Sequence, residues 1–164
     1  MILLIDHQDS FTRNLEHLLA NFDTILVIDR KEVTQKQIKE ADIIVFSPGP
    51  GKPDDYGESK ILYHQIVGHK PILGICLGFQ LILQEEGAQV SRQEQVLHGV
   101  ETDIEIIPNT QTYNKIEKPL RVARYHSLQV NPDSLNTLKQ TIKITARDPL
   151  RKTHLSFEDM NRKL

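Results

Sequence analysis

Four short, largely apolar runs constrain the fold of this chain more than any other feature of its sequence. They are Ile2–Ile5, Thr24–Ile28, Ile43–Phe46 and Ile72–Ile75. Runs of this length with almost no polar residues are typical of strands that are buried on both faces of a sheet. Segments with helical spacing or helix-capping residues lie between them. The alternation predicts an α/β fold, with a mostly parallel central sheet, flanking helices and right-handed crossovers.

Helices are predicted between these strands, and the chain becomes rich in β-strand patterns after Gly87. The helices are expected from Asp9–Thr12 through Leu19, over Thr34–Ala41, over Ser59–Val67, and from Cys76 to a C-cap at Gly87. Short strands are predicted at Val96–Val100, Asp103–Ile107, Leu120–Arg124, Leu128–Val130 and Thr141–Ala146. We interpret this part as a mixed or antiparallel C-terminal extension, so that residues 1–164 form a single domain.

The composition argues against several classes of function. The net charge is −2 and charged residues make up 26% of the chain, so nothing favours binding to nucleic acid or to a membrane surface. No apolar run reaches membrane-spanning length, and a single cysteine cannot form an internal disulfide, which together favour a cytoplasmic protein. The sequence contains no zinc-type Cys/His spacing, Walker loop or Gly-x-Gly-x-x-Gly motif, so we expect neither a metal nor a nucleotide cofactor.

The only cysteine of the chain stands at a tight turn between a predicted strand and a predicted helix. Gly74 and Gly78 lie two residues on either side of Cys76. This spacing is the cysteine form of the nucleophile elbow, in which glycines let the backbone turn sharply and the nucleophile stands at the edge of the sheet. The N-terminus of the following helix would favour a thiolate and an oxyanion. A buried structural cysteine is the alternative interpretation, and the local sequence favours neither.

Two further segments carry residue types that are common in active sites. The prolines of Ser47–Gly51 stiffen a loop whose glycines allow close backbone approach, so this loop could aim an N–H group at a carbonyl oxygen near Cys76. Arg124–Leu128 contains a His-Ser pair in which His126 is a candidate base. An ordinary turn and a hydrogen-bonded histidine at a strand end are the alternatives, and each is commoner for an isolated motif.

Five segments, taken in order along the chain, match the pattern of one known family. They are Asp6 with Asp9–Thr12, Asn14 and Leu15; Ser47–Gly51; Gly74–Gln80; His98 with Gly99; and Arg124–Leu128. In this order they resemble the class I (triad) glutamine amidotransferases. The first and last segments narrow the resemblance to the glutaminase subunits of anthranilate synthase and aminodeoxychorismate synthase. The resemblance covers essentially the whole chain and implies a flavodoxin-like α/β fold.

The resemblance also implies a substrate, a partner and a role for each matching residue. Cys76 would attack the side-chain amide of L-glutamine and form a γ-glutamyl thioester, while the N–H groups of Gly51 and Leu77 would hold the oxyanion. The residues implied in substrate binding are Gly49, Pro50, Gly51, Gln80, Ser127 and Leu128. Ammonia would pass to a chorismate-binding synthase subunit, component I, for the synthesis of anthranilate or 4-amino-4-deoxychorismate. His98 would lie by the site or by the contact with that subunit.

The sequence departs from the family pattern in two places. Phe79 stands where this subgroup often has His, although other class I amidotransferases carry an apolar residue there. The family pattern also ends in a strand with Phe-His-Pro-Glu, whose His is the base for the cysteine. Thr153–Phe157 resembles the strand before it, but none of the 7 histidines is followed by Pro-Glu. Because a positioned base is typically worth roughly 10²–10⁴-fold, we expect these residues alone to hydrolyse glutamine slowly.

Two alternatives to an active glutaminase follow from the same observations. The first is a non-catalytic subunit that binds the synthase or glutamine without turnover, and the missing Phe-His-Pro-Glu favours it. The second is another hydrolase with a cysteine elbow on a similar sheet, against which the Ser47–Gly51 loop and the Ser127–Leu128 pair argue. Release of glutamate in the presence of the synthase subunit would separate the first alternative from a glutaminase.

Overall fold

The apolar runs form a four-stranded parallel sheet in a computed structural model that describes residues 1–116, 119–138 and 141–164. The strands are β1 (Ile2–Asp6), β2 (Ile25–Asp29), β3 (Ile43–Phe46) and β4 (Ile72–Gly74), in the order β2-β1-β3-β4. All three neighbouring pairs are parallel. Leu3, Leu4 and Ile5 of β1 are fully buried, as expected for an apolar strand with both faces covered. The predicted α/β fold with a parallel sheet is confirmed.

This sheet belongs to the first of two compact units. The first unit comprises Met1–Ile82 and Arg162–Leu164, and the second comprises Leu83–Asn161. The last residues join the first unit through the carbonyl of Lys163, which accepts a hydrogen bond of 2.8 Å from the N–H of Ile72 at the start of β4. That residues 1–164 act as a single domain stays a prediction.

The predicted helices are present with small shifts in their ends. They are α1 (Thr12–Leu19), α2 (Gln35–Glu40), α3 (Gly57–Ile66) and α4 (Leu77–Glu85), and a 3₁₀ turn spans Pro53–Asp55. Thr34 caps α2 in a capping box with Gln37. Asp9 binds the N–H of Phe11 just before α1. Gly87 has a φ of +109°, which agrees with its prediction as a C-cap.

The second unit is an antiparallel sheet, so the extension is antiparallel and not mixed. Its strands are β5 (Val90–Ile106), β6 (Leu120–Val130), β7 (Lys143–Arg147) and β8 (His154–Glu158), in the order β6-β5-β7-β8. The sequence predicted two short strands where β5 runs and two where β6 runs. This prediction is wrong, because β5 and β6 are each continuous through the expected breaks. The expected break in β6, between Arg124 and Leu128, coincides with a register shift in its pairing with β5 near Gly99. The expected break in β5 falls at Glu101 and Thr102, which are polar but pair regularly with Ala123 and Val122.

Polar residues fill part of the interior of the second unit. Arg124 of β6 forms a buried ion pair of 2.6 Å with Asp148. The apolar side chains of Leu97, Val130 and Ala146 are also buried in this unit. A buried charged group loses its hydration, and this cost is offset only if the group pairs with an opposite charge. This pair therefore holds β6 to the chain that follows β7. Among the described residues, no helix combines the length and apolar character needed to cross a membrane.

Candidate active site

Three segments of the chain, which directly follow β1, β3 and β4, meet at one edge of the parallel sheet. In the register of the strands, Ile5 pairs with Phe46, and Phe46 pairs with Gly74. The carboxyl ends of β1, β3 and β4 are therefore level. The residues that follow them, beginning at His7, Ser47 and Ile75, lie side by side. In open α/β sheets this edge is where ligands bind.

Cys76 stands on a strained turn between β4 and α4, as predicted. Its φ is +54°, a left-handed conformation that is uncommon for a residue other than glycine. The flanking glycines are required by space: a Cβ on Gly74 would lie 2.6 Å from the backbone of Gly78, and a Cβ on Gly78 would lie 2.4 Å from the carbonyl oxygen of Phe46. The side chain of Cys76 is exposed, so the alternative of a buried structural cysteine is wrong.

The structure corrects one expectation about this thiol. The pKa of Cys76 is raised above its ordinary value, and the main cause is loss of water around the thiol, which disfavours the thiolate. The side chain reaches solvent, yet neighbouring protein atoms displace enough water to have this effect. The N–H of Leu77 lowers the pKa, as a helix N-terminus should, while the charge of Asp9 raises it. Desolvation outweighs the helix N-terminus, so the thiol needs a proton acceptor to react as a thiolate.

The Ser47–Gly51 loop packs directly against the cysteine elbow. A Cβ on Gly49 would lie 2.3 Å from Cδ2 of Leu77 and 2.7 Å from Cβ of His7, so only glycine fits between them. Gly51 has a φ of +73°, and a Cβ there would lie 2.6 Å from the carboxylate of Asp55. Gly49 is thus fixed by its contact with the side chain of Leu77 in the elbow, and Gly51 by its positive φ and its approach to Asp55, a closer fit than an ordinary turn requires.

Gln80 lies one helical turn after the cysteine. It sits in the first turn of α4 and is buried, and its N–H donates a 3.0 Å hydrogen bond to the carbonyl of Cys76. The first unit thus brings Gly49 against Leu77 and Gln80 onto the carbonyl of Cys76, while Pro50 and Gly51 belong to the same loop as Gly49.

A buried histidine that the sequence analysis did not single out supports this loop. Nδ1 of His7 lies 3.1 Å from Oγ of Ser47, and Nε2 lies 2.9 Å from Oγ of Ser59. The backbone N–H of His7 also donates to Oγ of Ser47, whose own hydroxyl donates to the carbonyl of Pro48 at 2.7 Å. Because that hydroxyl proton is committed to Pro48, Nδ1 of His7 must carry a proton and Nε2 must accept from Ser59. The one sequence feature that could have identified His7 is its position directly after β1.

His126 is a satisfied histidine and not a free base. Its Nε2 accepts a 3.0 Å hydrogen bond from Nε of Arg124, and its Nδ1 lies 2.9 Å from the carbonyl oxygen of Leu128. Burial is the main cause that lowers the pKa of His126. Both ring nitrogens are engaged within the second unit, as the alternative interpretation of this motif required.

The remaining predicted residues also lie in the second unit. Ser127 is exposed, while Leu128 is half-buried and its carbonyl oxygen additionally accepts a hydrogen bond from the side chain of Gln93. His98 packs edge to face on Tyr125, with ring centroids 5.2 Å apart. The roles of Ser127, Leu128 and His98 stay predictions. Within the described residues, His, Cys, Asp and Glu form no group that could hold a metal ion.

The fold and the elbow define a class of protein, and comparison with known families gives the same class. Residues 3–162 match the family described as glutamine amidotransferase class-I. The chain belongs to this family, and the resemblance stated from its motifs is confirmed.

The relatives narrow the class to one kind of subunit. The chain is 41% identical over 138 residues to aminodeoxychorismate/anthranilate synthase component 2 of Bacillus subtilis, covering 82% of this chain and 71% of that protein. It is 39% identical over 129 residues to anthranilate synthase component 2 of Lactococcus lactis, covering 78% and 65%. It is 39% identical over 142 residues to aminodeoxychorismate synthase component 2 of Escherichia coli, covering 82% and 73%. These relatives do not favour a non-catalytic binding subunit.

Solved structures support the fold. One is a glutamine amidotransferase from Thermotoga maritima, with a TM-score of 0.78 and 18% identity, covering 99% of this chain and 71% of that one. Another is a glutamine amidotransferase from Methylobacillus flagellatus, with a TM-score of 0.69 and 17% identity, covering 96% and 64%. At this identity the likeness concerns the fold alone.

Proposed function

We propose that this chain is a glutamine amidotransferase subunit that releases ammonia from L-glutamine for a synthase that aminates chorismate. The observation that carries the proposal is the strained elbow of Cys76, whose next residue, Leu77, lies against Gly49. This contact supports the proposal, because acyl transfer needs a nucleophile and backbone N–H donors at one site, and Cys76 and the glycine loop lie at the same edge of the sheet.

The proposed reaction has two steps. The sulfur of Cys76 attacks the side-chain carbonyl carbon of glutamine, and the N–H groups of Gly51 and Leu77 stabilise the resulting oxyanion. The carbon–nitrogen bond then breaks, the leaving nitrogen takes up the proton that the thiol gave up, and ammonia departs with a γ-glutamyl thioester remaining on the sulfur. Water hydrolyses the thioester to glutamate and regenerates the thiol. The substrate is held by Gly49, Pro50, Gln80, Ser127 and Leu128.

The proposed partner is a chorismate-binding component I. Ammonia must reach that subunit before it is lost to water, so the mouth of the Cys76 site should face the partner. We expect His98 and the Pro50–Gly57 segment to lie near the contact. Binding at micromolar concentration, measured with the purified subunits, supports this assignment, and no binding at that concentration contradicts it.

The proposed site lacks a clear acceptor for the proton of the Cys76 thiol among the residues discussed above. The pKa of the Cys76 thiol is raised, while His7 and His126 each have both ring nitrogens engaged in hydrogen bonds. A histidine added on a Phe-His-Pro-Glu strand should therefore raise glutaminase activity. The expected increase is at least about 10²-fold, the lower end of what a positioned base provides.

The test is glutamate release, measured with the synthase subunit present, by three proteins. They are the 164-residue chain, the same chain extended by a Phe-His-Pro-Glu strand, and the extended chain with Cys76→Ser. We expect slow release from the first, fast release from the second and none above background from the third. Equal release from the first two contradicts the assignment of the base. Release from the Cys76→Ser protein, or none from any of the three, contradicts the proposed function.

A further inference from the structure

Two carbonyl groups of the Ser47–Gly51 loop are tied to side chains on its inner side. The hydroxyl of Ser47 donates to the carbonyl of Pro48 at 2.7 Å, and the hydroxyl of Tyr56 donates to the carbonyl of Pro50 at 2.5 Å. These carbonyls belong to the peptide groups whose N–H ends are on Gly49 and Gly51. Both peptide planes are thus anchored at one end.

Anchoring the carbonyl also sets the direction of the N–H group. A trans peptide is planar, and its C=O and N–H bonds point in opposite directions. The hydroxyl of Tyr56 at the carbonyl of Pro50 therefore turns the N–H of Gly51 away from Tyr56. In the part of the chain that the structure describes, this N–H donates to no protein group. It is a fixed donor that faces away from the protein interior around Tyr56.

Tyr56 itself is held rigidly. Its side chain is buried, with 4% exposure. The guanidinium carbon of Arg30 lies 4.9 Å from the centre of its ring, and the ring of His7 meets it at 78° with centroids 5.1 Å apart. Contacts on two sides of the ring fix the hydroxyl at Pro50. Burial also raises the pKa of Tyr56, so the hydroxyl keeps its proton and remains a donor at neutral pH.

We propose that Tyr56 is a positioning residue that orients the oxyanion-binding N–H of Gly51 through the carbonyl of Pro50. This inference rests on the proposed function, because Gly51 matters to catalysis only if Cys76 attacks a glutamine side chain. Tyr56 lies outside every motif that carries the family resemblance, and it touches neither the thiol nor the substrate in this role. Its effect should appear in the rate of the chemical step.

The substitution Tyr56→Phe removes the single oxygen that makes this contact. The probe is the chloromethyl ketone analogue of glutamine, whose carbonyl oxygen needs the same N–H groups while Cys76 is alkylated. The measured quantities are the maximal rate of inactivation and the concentration that gives half of it. Iodoacetamide is the reference reagent, because its reaction with Cys76 depends on the thiol but not on an oxyanion site.

Tyr113→Phe is the matched control. The hydroxyl of Tyr113 lies 2.9 Å from Oγ of Ser156 in the second unit, so this substitution also removes one hydroxyl hydrogen bond. A general loss of stability should affect both variants alike, and thermal unfolding of each protein records it. If Tyr56→Phe does not fold, Arg30→Met provides the test, because it leaves the hydroxyl in place but removes the cation that holds the ring.

We expect Tyr56→Phe to lower the maximal rate of inactivation by the ketone at least about tenfold, since complete loss of an oxyanion donor typically costs about 10²–10³-fold and a misplaced donor should cost less. The half-saturating concentration and the iodoacetamide rate should change less than about twofold, and Tyr113→Phe should match the unsubstituted chain. Arg30→Met should give a smaller fall, about threefold. An unchanged maximal rate in Tyr56→Phe, or in Arg30→Met where that is the test, overturns the inference. If the unsubstituted chain reacts with iodoacetamide but never with the ketone, the proposed function fails instead.

Discussion

At the scale of single residues, the state of His7 decides how the loop beside Cys76 is held. Its hydrogen bonds to Ser47 and Ser59 are complete only in the neutral form with the proton on Nδ1. Burial, with the positive charge of Arg30, lowers its pKa from 6.5 to about 4, although Asp6 acts in the opposite direction. His7 is therefore neutral throughout the physiological range of pH.

A dependence of stability on pH follows from this shift. Between pH 6.5 and about 4 the unfolded chain binds a proton at His7 while the folded chain does not. Protons therefore stabilise the unfolded state, and the contribution of His7 is complete above pH 6.5 and lost as the pH falls. The loss approaches about 3 kcal/mol at pH 4, from about 1.4 kcal/mol per unit of pKa.

The comparison protein is His7→Asn, which keeps an N–H donor near the position of Nδ1 and has no group that titrates there. Urea unfolding of both proteins from pH 7 down to pH 4 gives the difference that belongs to His7 alone. The lowered pKa values of His126 and His154 affect both proteins equally. We expect the free energy of unfolding to fall less steeply in His7→Asn. Parallel curves would show that His7 is protonated in the folded chain.

Residues that carry local signals could be predicted from the sequence, whereas residues that act through contacts made by the fold could not. Cys76 was found because glycines flank it, and Gly49 and Gly51 were found because prolines and glycines alternate there. His7 and Tyr56 belong to no such pattern. His7 reaches Ser47 across 40 positions in the chain, and Tyr56 is positioned by Arg30 of another strand end. Contacts of this kind appear only when the parallel strands are aligned.

At the scale of elements, the approach of β3 to the start of α4 leaves no room for a side chain at Gly78. Its hypothetical Cβ would lie 2.4 Å from the carbonyl oxygen and 2.9 Å from the carbonyl carbon of Phe46, which are backbone atoms that cannot move aside. We expect Gly78→Ala to lower the free energy of unfolding by about 2 kcal/mol, because overpacking of this kind typically costs 1–3 kcal/mol. Chemical denaturation measures the change.

Gly57 supplies the control for this prediction. It is the first residue of α3, and a Cβ there would meet nothing within 4 Å. Gly57→Ala should leave the free energy of unfolding unchanged or raise it by up to about 1 kcal/mol, since alanine favours a helix. If the two variants have the same stability, the elbow is not closely packed against β3.

The predicted elements of the parallel part agree with the structure better than those of the antiparallel part. Apolar runs such as Ile43–Phe46 are readily predicted as strands, because strands that are buried on both faces contain almost no polar residues. In β5, by contrast, most residues are exposed, and polar residues such as Glu101 and Thr102 interrupt the apolar pattern within a regularly paired strand, so the sequence pattern indicated separate strands. The 3₁₀ helix at Pro132–Thr137 was also missed, because its turn residues indicate a loop equally well.

At the scale of the whole molecule, the family match joins residues that lie in both compact units. Cys76 and the Ser47–Gly51 loop belong to the first unit, while Ser127 and Leu128, whose role in glutamine binding stays a prediction, belong to the second. The match to residues 3–162 runs through both units. The strand order β2-β1-β3-β4 of the first sheet provides the edge on which Cys76 stands.

The most direct test of this account is whether a γ-glutamyl group becomes attached to Cys76. The chain extended by a Phe-His-Pro-Glu strand is mixed with glutamine and the chorismate-binding synthase subunit, quenched in acid, and examined by intact-mass and peptide mass spectrometry. We expect a mass increase of one glutamyl group that maps to Cys76 and is absent from Cys76→Ser. Glutamate release at an undiminished rate by Cys76→Ser, or a glutamyl group on another residue, would contradict it.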